Sequence, residues 1–195
     1  MLYNFVKFVC SIFMYTIFRI KTIGIERFPK EGAVIVYSNH KSMWDPVIIA
    51  CLLKRPVFFM AKQELFKYSL LSIIFHKLNA FPVKRGMPDR KAIKRALEVL
   101  KEKKVLGIFP EGTRSKDGKL QEPEPGIALL AAKSIDVILV PVAIKGNYRF
   151  FSCLSVVFGE PINFDDYYKL EKLNSQELKS ISKDIFSRVS ELMMT

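Results

Sequence analysis

The chain has 195 residues, half of them apolar, which is enough for one substantial core and too short for two ordinary domains. Its three cysteines, Cys10, Cys51 and Cys153, lie far apart in apolar surroundings without CxxC spacing; this argues against a disulfide framework or a zinc site and for buried thiols in a reducing compartment. The net charge of +12 is uneven, since residues 77–104 hold ten Lys and Arg against Asp89, Glu98 and Glu102, a patch suited to nucleic acid, an anionic membrane surface or an acidic partner protein.

The N-terminus discriminates among those partners. Fifteen of residues 1–20 are apolar or aromatic, and only Lys7 and Arg19 are charged. At ~1.5 Å per residue such a helix just reaches across a ~30 Å hydrocarbon layer, but Lys7 would then lie well inside it. No small-residue cleavage site follows. Residues 1–22 are therefore read as an uncleaved apolar helix lying in the interface of a membrane with anionic lipids, and residues 23–195 as the domain it serves. A buried core helix is the alternative. The basic patch has no recognised nucleic-acid motif and no aromatic stacking platform, so no nucleic-acid partner is expected.

Residues 24–32 read as a short strand and turn, after which strands and helices alternate. Strands are expected at 33–38, 56–60, 80–83, 105–109, 137–144 and 154–158, and helices at 46–53, 64–76, 88–103, 126–134 and 175–193. The helix from Pro88 places proline near its first position and Ile93, Ala96, Leu97 and Leu100 on one face, with its basic residues opposite. The last helix opens with Asn174 and Glu177 at capping-box spacing. This alternation predicts an α/β fold: a single domain with a mixed, mainly parallel sheet flanked by helices, preceded by the interfacial helix.

Chemistry-bearing residues gather at strand ends. The run 33–37 leads into Asn39-His40-Lys41-Ser42-Met43-Trp44-Asp45-Pro46. Histidine, which titrates near ~6.5, works as a general base when a carboxylate holds one ring nitrogen and leaves the other free. Asp45 is suited to that, on a strand-to-helix turn where open α/β sheets place their sites. The same residues also read as helix capping, with Asp45 as N-cap before Pro46, or Ser42 and Asp45 as a capping box one turn earlier. The strand at 105–109 leads into Pro110-Glu111-Gly112-Thr113-Arg114-Ser115, where Gly112 allows close backbone approach and Arg114 offers a planar fork for phosphate or carboxylate. Glu111 either holds that arginine or binds a substrate hydroxyl; a polar turn with a surface ion pair is the other reading. Phe81-Pro82-Val83 ends in Lys84 and Arg85, a second phosphate contact or a solvated charge. Val140-Pro141-Val142, an apolar strand interrupted by proline, predicts an edge, bulge or bend that lines a pocket.

On the blocks 39–45, 81–85, 109–115 and 140–142, in that order, the chain resembles the PlsC-type lysophosphatidate (1-acylglycerol-3-phosphate) acyltransferases, from about Gly24 to Pro161. The resemblance implies an enzyme of phospholipid biosynthesis that moves a fatty acyl group from acyl-ACP or acyl-CoA to the free hydroxyl of a lysophospholipid acceptor, giving phosphatidate. It implies His40 as general base and Asp45 as its orienter, no acyl-enzyme, and glycerol phosphate held by Glu111, Gly112, Thr113, Arg114 and Arg85. The thioester is then a co-substrate, with no metal or other cofactor, and the setting is the cytoplasmic face of the cell membrane. Another lysolipid, such as a lyso-ornithine lipid, is an alternative acceptor, and a non-catalytic membrane-binding module is the alternative class. Two positions depart from the family pattern: Asn79 stands where relatives often have glycine, and residues 121–126 are acidic and proline-rich where many have a basic residue.

Overall fold

The apolar run from Ala33 forms the middle strand of an eight-stranded sheet. The computed structural model describes residues 2–84, 86–167 and 174–195, with the side chains of Leu71, Asp166 and Tyr167 outside the description. In chain order the elements are α1 (Leu2–Ile17), β1 (Arg19–Ile23), β2 (Ala33–Ser38), α2 (Asp45–Leu52), β3 (Val57–Lys62), α3 (Ser69–Lys77), β4 (Ala80–Val83), α4 (Arg90–Lys101), β5 (Val105–Ile108), α5 (Gly126–Ala132), β6 (Val137–Gly146), β7 (Cys153–Phe158), β8 (Ile162–Asn163), α6 (Phe164–Tyr167) and α7 (Ser175–Met194).

The strand order is β1-β7-β6-β2-β5-β3-β4, with β8 added beside β6. Only the pairings of β6 with β7 and β8 are antiparallel. The expected α/β class with a mixed, mainly parallel sheet is therefore borne out. Every side chain of β2 is buried, which explains the continuous apolar run: a strand covered on both faces has no solvent side. Ala33, Ile35 and Tyr37 pack in a core with Ala96, Val99 and Leu100 of α4, Ile127 of α5 and Ile185 of α7. Val34 and Val36 face the other way, toward Met14 of α1 and Ile48 and Ile49 of α2. Strands β2, β3, β5 and β6 run parallel, so the loops after them meet at one edge.

Several boundaries differ from the sequence reading. The helix expected through residue 22 ends at Ile17, and Arg19–Ile23 alternates exposed and half-buried residues as an edge strand parallel to β7. The strand expected within 24–32 is a single 3-10 turn, Ile25–Arg27. The helix expected at 64–76 divides into a 3-10 turn, Gln63–Phe66, and α3. Asn79 follows at φ 61°, the left-handed conformation in which asparagine replaces glycine at little cost. Helix α4 starts at Arg90 with Asp89 as its cap, so Pro88 precedes the cap rather than opening the helix. The capping box of Asn174 and Glu177 forms as expected. Pro141 lies inside a central strand, at the point where the outer neighbour of β6 changes from β8, ending at Leu139, to β7, beginning at Val142. Its missing N–H falls where the ladder is already interrupted, so the proline neither marks an edge nor lines the cavity described below.

Candidate active site

The end of β2 is fixed before its chemistry begins. The Asn39 side chain donates to the Ile144 carbonyl at 3.0 Å and accepts the Ile144 N–H at 2.8 Å, extending the β2–β6 pairing by one side chain. His40 follows with only 6% of its surface exposed. Its N–H donates to Glu111 Oε1 at 2.7 Å, and its carbonyl accepts the Ser115 N–H at 2.8 Å, so the loops after β2 and β5 hold one another. The imidazole lies on the Phe109 ring, 4.1 Å between centroids and 19° from parallel, and Phe109 stacks in turn on Phe59 of β3.

Asp45 meets His40 as the dyad reading requires. His40 Nδ1 lies 2.8 Å from Asp45 Oδ2, which also accepts the Lys41 and Ser42 N–H groups at 2.7 Å each. A carboxylate only accepts, so Nδ1 carries the proton in this pairing and Nε2 is the nitrogen left free. Asp45 is the first residue of α2 and Pro46 the second, while Trp44 at the cap position makes no side-chain capping bond. The carboxylate turns back onto the preceding loop, so it does not cap α2. Of the capping box at Ser42 and Asp45 one half forms, since the Asp45 carboxylate accepts the Ser42 N–H, whereas Ser42 Oγ accepts the Trp44 N–H instead of that of Asp45.

One residue of this unit was not anticipated. The Tyr148 hydroxyl donates to Asp45 Oδ1 from the loop after β6, and its ring stands edge-on to Phe18. Burial pushes the Tyr148 phenol well above its ordinary value, and the neighbouring carboxylate adds to the shift, so it stays a donor. Tyr148 stands two residues past the end of the apolar strand β6, and it reaches Asp45 because β6 lies beside β2.

The residues after β5 divide in role. Glu111, expected at the substrate, is buried and its second oxygen accepts the Gln121 N–H at 3.0 Å, so both oxygens serve main-chain donors. Burial raises its pKa, opposed by those two bonds. Gly112 has φ 67°, which a side chain would strain, and its N–H closes the turn onto the Phe109 carbonyl at 3.0 Å. Thr113 is exposed, its hydroxyl directed to the Arg114 carbonyl at 3.3 Å. Arg114 is exposed and has no carboxylate partner among the described residues. Arg85 lies outside the described residues.

His40 and Arg114 share the lining of one cavity of about 450 Å³, whose other walls are almost entirely apolar. Val6 and Cys10 of α1, Val47 of α2, Phe59 and Met60 of β3 and Phe75 of α3 contribute. Lys62, at the end of β3, is a further cation in the lining and was not anticipated. Thus His40, with a carboxylate held on its Nδ1, and the cations Arg114, Lys62 and Lys7 border one largely apolar recess. Among the described residues no cluster of potential metal ligands is found.

A family model described as Acyltransferase matches residues 19–145. The 1-acyl-sn-glycerol-3-phosphate acyltransferase of Bacillus subtilis (strain 168) is 28% identical over 180 residues, covering 89% of this chain and 87% of that protein. The Streptococcus pneumoniae (strain ATCC BAA-255 / R6) protein of the same name is 33% identical over 168 residues, covering 80% of this chain but 60% of its own length. The crystal structure of the 1-acyl-sn-glycerophosphate (LPA) acyltransferase PlsC from Thermotoga maritima superposes with a TM-score of 0.70 at 26% identity, covering 97% of this chain and 80% of that one. The chain belongs to the acyltransferase family.

Proposed function

We propose that the protein transfers a fatty acyl group from an acyl thioester, acyl-ACP or acyl-CoA, to the free hydroxyl of 1-acylglycerol-3-phosphate, giving phosphatidate. The observation that carries this reading is His40, paired with Asp45 at 2.8 Å, on the same apolar cavity as Arg114, which has no carboxylate partner among the described residues. The names of the relatives support the same acceptor. His40 Nε2 takes the proton of the hydroxyl as its oxygen attacks the thioester carbonyl, and Asp45 stabilises the imidazolium so formed. The tetrahedral intermediate collapses by breaking the carbon–sulfur bond, and the same proton passes from His40 to the departing sulfur. No acyl-enzyme is needed. Arg114, with Arg85, binds the phosphate, and the cavity takes an acyl chain. Apart from the base, worth about 10²–10⁴-fold, the acceleration comes from holding hydroxyl and thioester together.

The orientation of α1 supports a membrane setting. Phe5, Phe8, Ile12 and Tyr15 are exposed, whereas Lys7, the helix's one charge, turns inward and donates to the Leu53 carbonyl at the end of α2. Water would favour the reverse, so the outer face suits lipid. No helix among the described residues is long and apolar enough to cross a membrane. We place α1 in the interface of the cytoplasmic face, where the acyl thioesters are made.

The test is the purified protein with labelled acyl-ACP or acyl-CoA and a panel of acceptors: lysophosphatidate, its neutral lysolipid counterparts and a lyso-ornithine lipid. Transfer to lysophosphatidate that is lost in His40→Ala and Asp45→Ala supports the proposal. Transfer that survives His40→Ala refutes the mechanism, and faster acylation of an acceptor without phosphate refutes the substrate.

A further inference from the structure

We propose that the loop of residues 147–152, between β6 and β7, is a second lipid-contacting element, seated beside α1 in an anionic bilayer surface. This rests on the membrane reading of α1 and extends it to a segment far away in sequence.

Phe150 and Phe151 are 77% and 70% exposed, two adjacent aromatic rings displayed at one loop. The display is built rather than slack. Phe151 is held at φ 61°, a conformation unfavourable for a bulky side chain, by donating its N–H to the Ile17 carbonyl at 2.7 Å. The Ser152 carbonyl accepts the Arg19 N–H at 3.0 Å, its N–H donates to the Arg149 carbonyl at 3.1 Å, and its hydroxyl donates to the Asn147 carbonyl. Because Ile17 is the last residue of α1, the loop is bonded to the end of a helix whose Ile12 and Tyr15 are exposed as well.

Charge identifies the occupant. Residues 1–25 and 137–159 contain no Asp or Glu, while Arg19, Lys21, Lys145 and Arg149 provide cations within them. Of these, Arg19, Lys21 and Arg149 are exposed. Rings that enter the acyl region with arginines at headgroup level fit an anionic bilayer. An acidic protein would satisfy the cations but would need a groove for two protruding rings. The same loop carries Tyr148, so seating Phe150 and Phe151 in lipid also steadies the donor to Asp45.

The experiment uses the full chain in a Trp44→Phe background, so that an introduced indole is the only one. Phe150→Trp, Phe151→Trp and, as the α1 reference, Phe8→Trp are mixed with phosphatidylglycerol vesicles whose acyl chains are brominated. The expected result is blue-shifted, quenched emission from all three, together with a roughly tenfold or greater loss of vesicle partitioning in the Phe150→Ser/Phe151→Ser double variant. Quenching of Phe8→Trp alone overturns the loop contact and leaves the α1 reading standing. Quenching of none overturns both. A loop indole that responds to acyl carrier protein and not to vesicles overturns the proposal in favour of a protein partner.

Discussion

Glu111 and His40 are joined through the main chain: the carboxylate of one accepts the peptide N–H of the other at 2.7 Å, while its second oxygen ties down Gln121. The third sequence block thus positions His40 as well as offering Arg114 to the cavity. Glu111→Ala strands two main-chain donors, one beside the buried His40, at a cost of about 1–3 kcal/mol each where water cannot replace the acceptor. The expected outcome is a lower melting temperature and a kcat reduced more than KM is raised. Glu111→Gln, which keeps one acceptor oxygen, falls between Ala and the parent. The raised pKa adds a pH signature. The folded state holds this proton more tightly than the unfolded chain, so the contribution is full below the ordinary glutamate range and is lost as pH rises through the elevated value. The stability of the parent relative to Glu111→Gln should therefore decline over that window, and urea titrations at stepped pH measure it.

Tyr148→Phe removes a donor from a carboxylate with no exposed surface. With one stabilising bond fewer, the Asp45 carboxylate is held less firmly against His40 Nδ1. The expected outcome is a lower kcat with KM for the acceptor close to that of the parent. Unchanged kcat in the folded variant would show that the bond does not position the pair. Loss of a hydrogen bond to a charged group costs about 1.5–3 kcal/mol, so the variant is also expected to melt earlier.

The sheet class and the dyad were legible because each rests on a local pattern. Buried parallel strands leave unbroken apolar runs, and a histidine five residues ahead of an aspartate meets it within one loop. What was not legible depends on lateral order. Tyr148 reaches Asp45 because β6 neighbours β2, and Phe109 meets His40 because β5 does so on the other side. Arg19, Ile20 and Lys21 alternate polar and apolar at the strand period, but an apolar count over residues 1–20 as one block absorbs them into the N-terminal helix; parallel pairing with β7 makes Arg19–Ile23 a strand. Glu111 was placed at substrate because spacing cannot say whether a carboxylate faces a cavity or a peptide N–H.

Gly107 supports the site from behind. A Cβ built there would lie 2.1 Å from Phe59 Cε1, because the Phe59 ring lies flat over the strand before stacking on Phe109 and, through it, His40. Gly107→Ala must displace that ring, at about 1–3 kcal/mol for overpacking. Activity should fall although no residue touching substrate has changed. Phe59→Leu in the same chain, which frees the space, should restore stability toward that of Phe59→Leu alone; an additive double variant would mean the two do not interact.

Asp89 organises the turn before α4, accepting the Lys84, Lys91 and Ala92 N–H groups. These bonds, Lys84 first, hold its pKa below the ordinary value, so its contribution is present above the unfolded aspartate pKa and lost as pH falls through the folded one. Asp89→Ala should cost about 1 kcal/mol at neutral pH, with the deficit shrinking in acid. Thermal melts of both proteins across acid pH measure the convergence.

Arg114 separates binding from chemistry. It shares the cavity with His40 yet makes no ion pair among the described residues, as expected of a group reserved for a ligand's charge. Arg114→Ala should raise KM for lysophosphatidate with a smaller change in kcat, lowering kcat/KM by about tenfold to a hundredfold, the worth of a charge-assisted contact. Arg114→Lys should recover only part of this, since an ammonium cannot span two phosphate oxygens as the guanidinium does. The decisive comparison uses a monoacylglycerol of the same chain length. If Arg114→Ala lowers its already slow acylation by the same factor, the arginine does not read the phosphate, whereas a loss confined to the phosphorylated acceptor assigns it that contact.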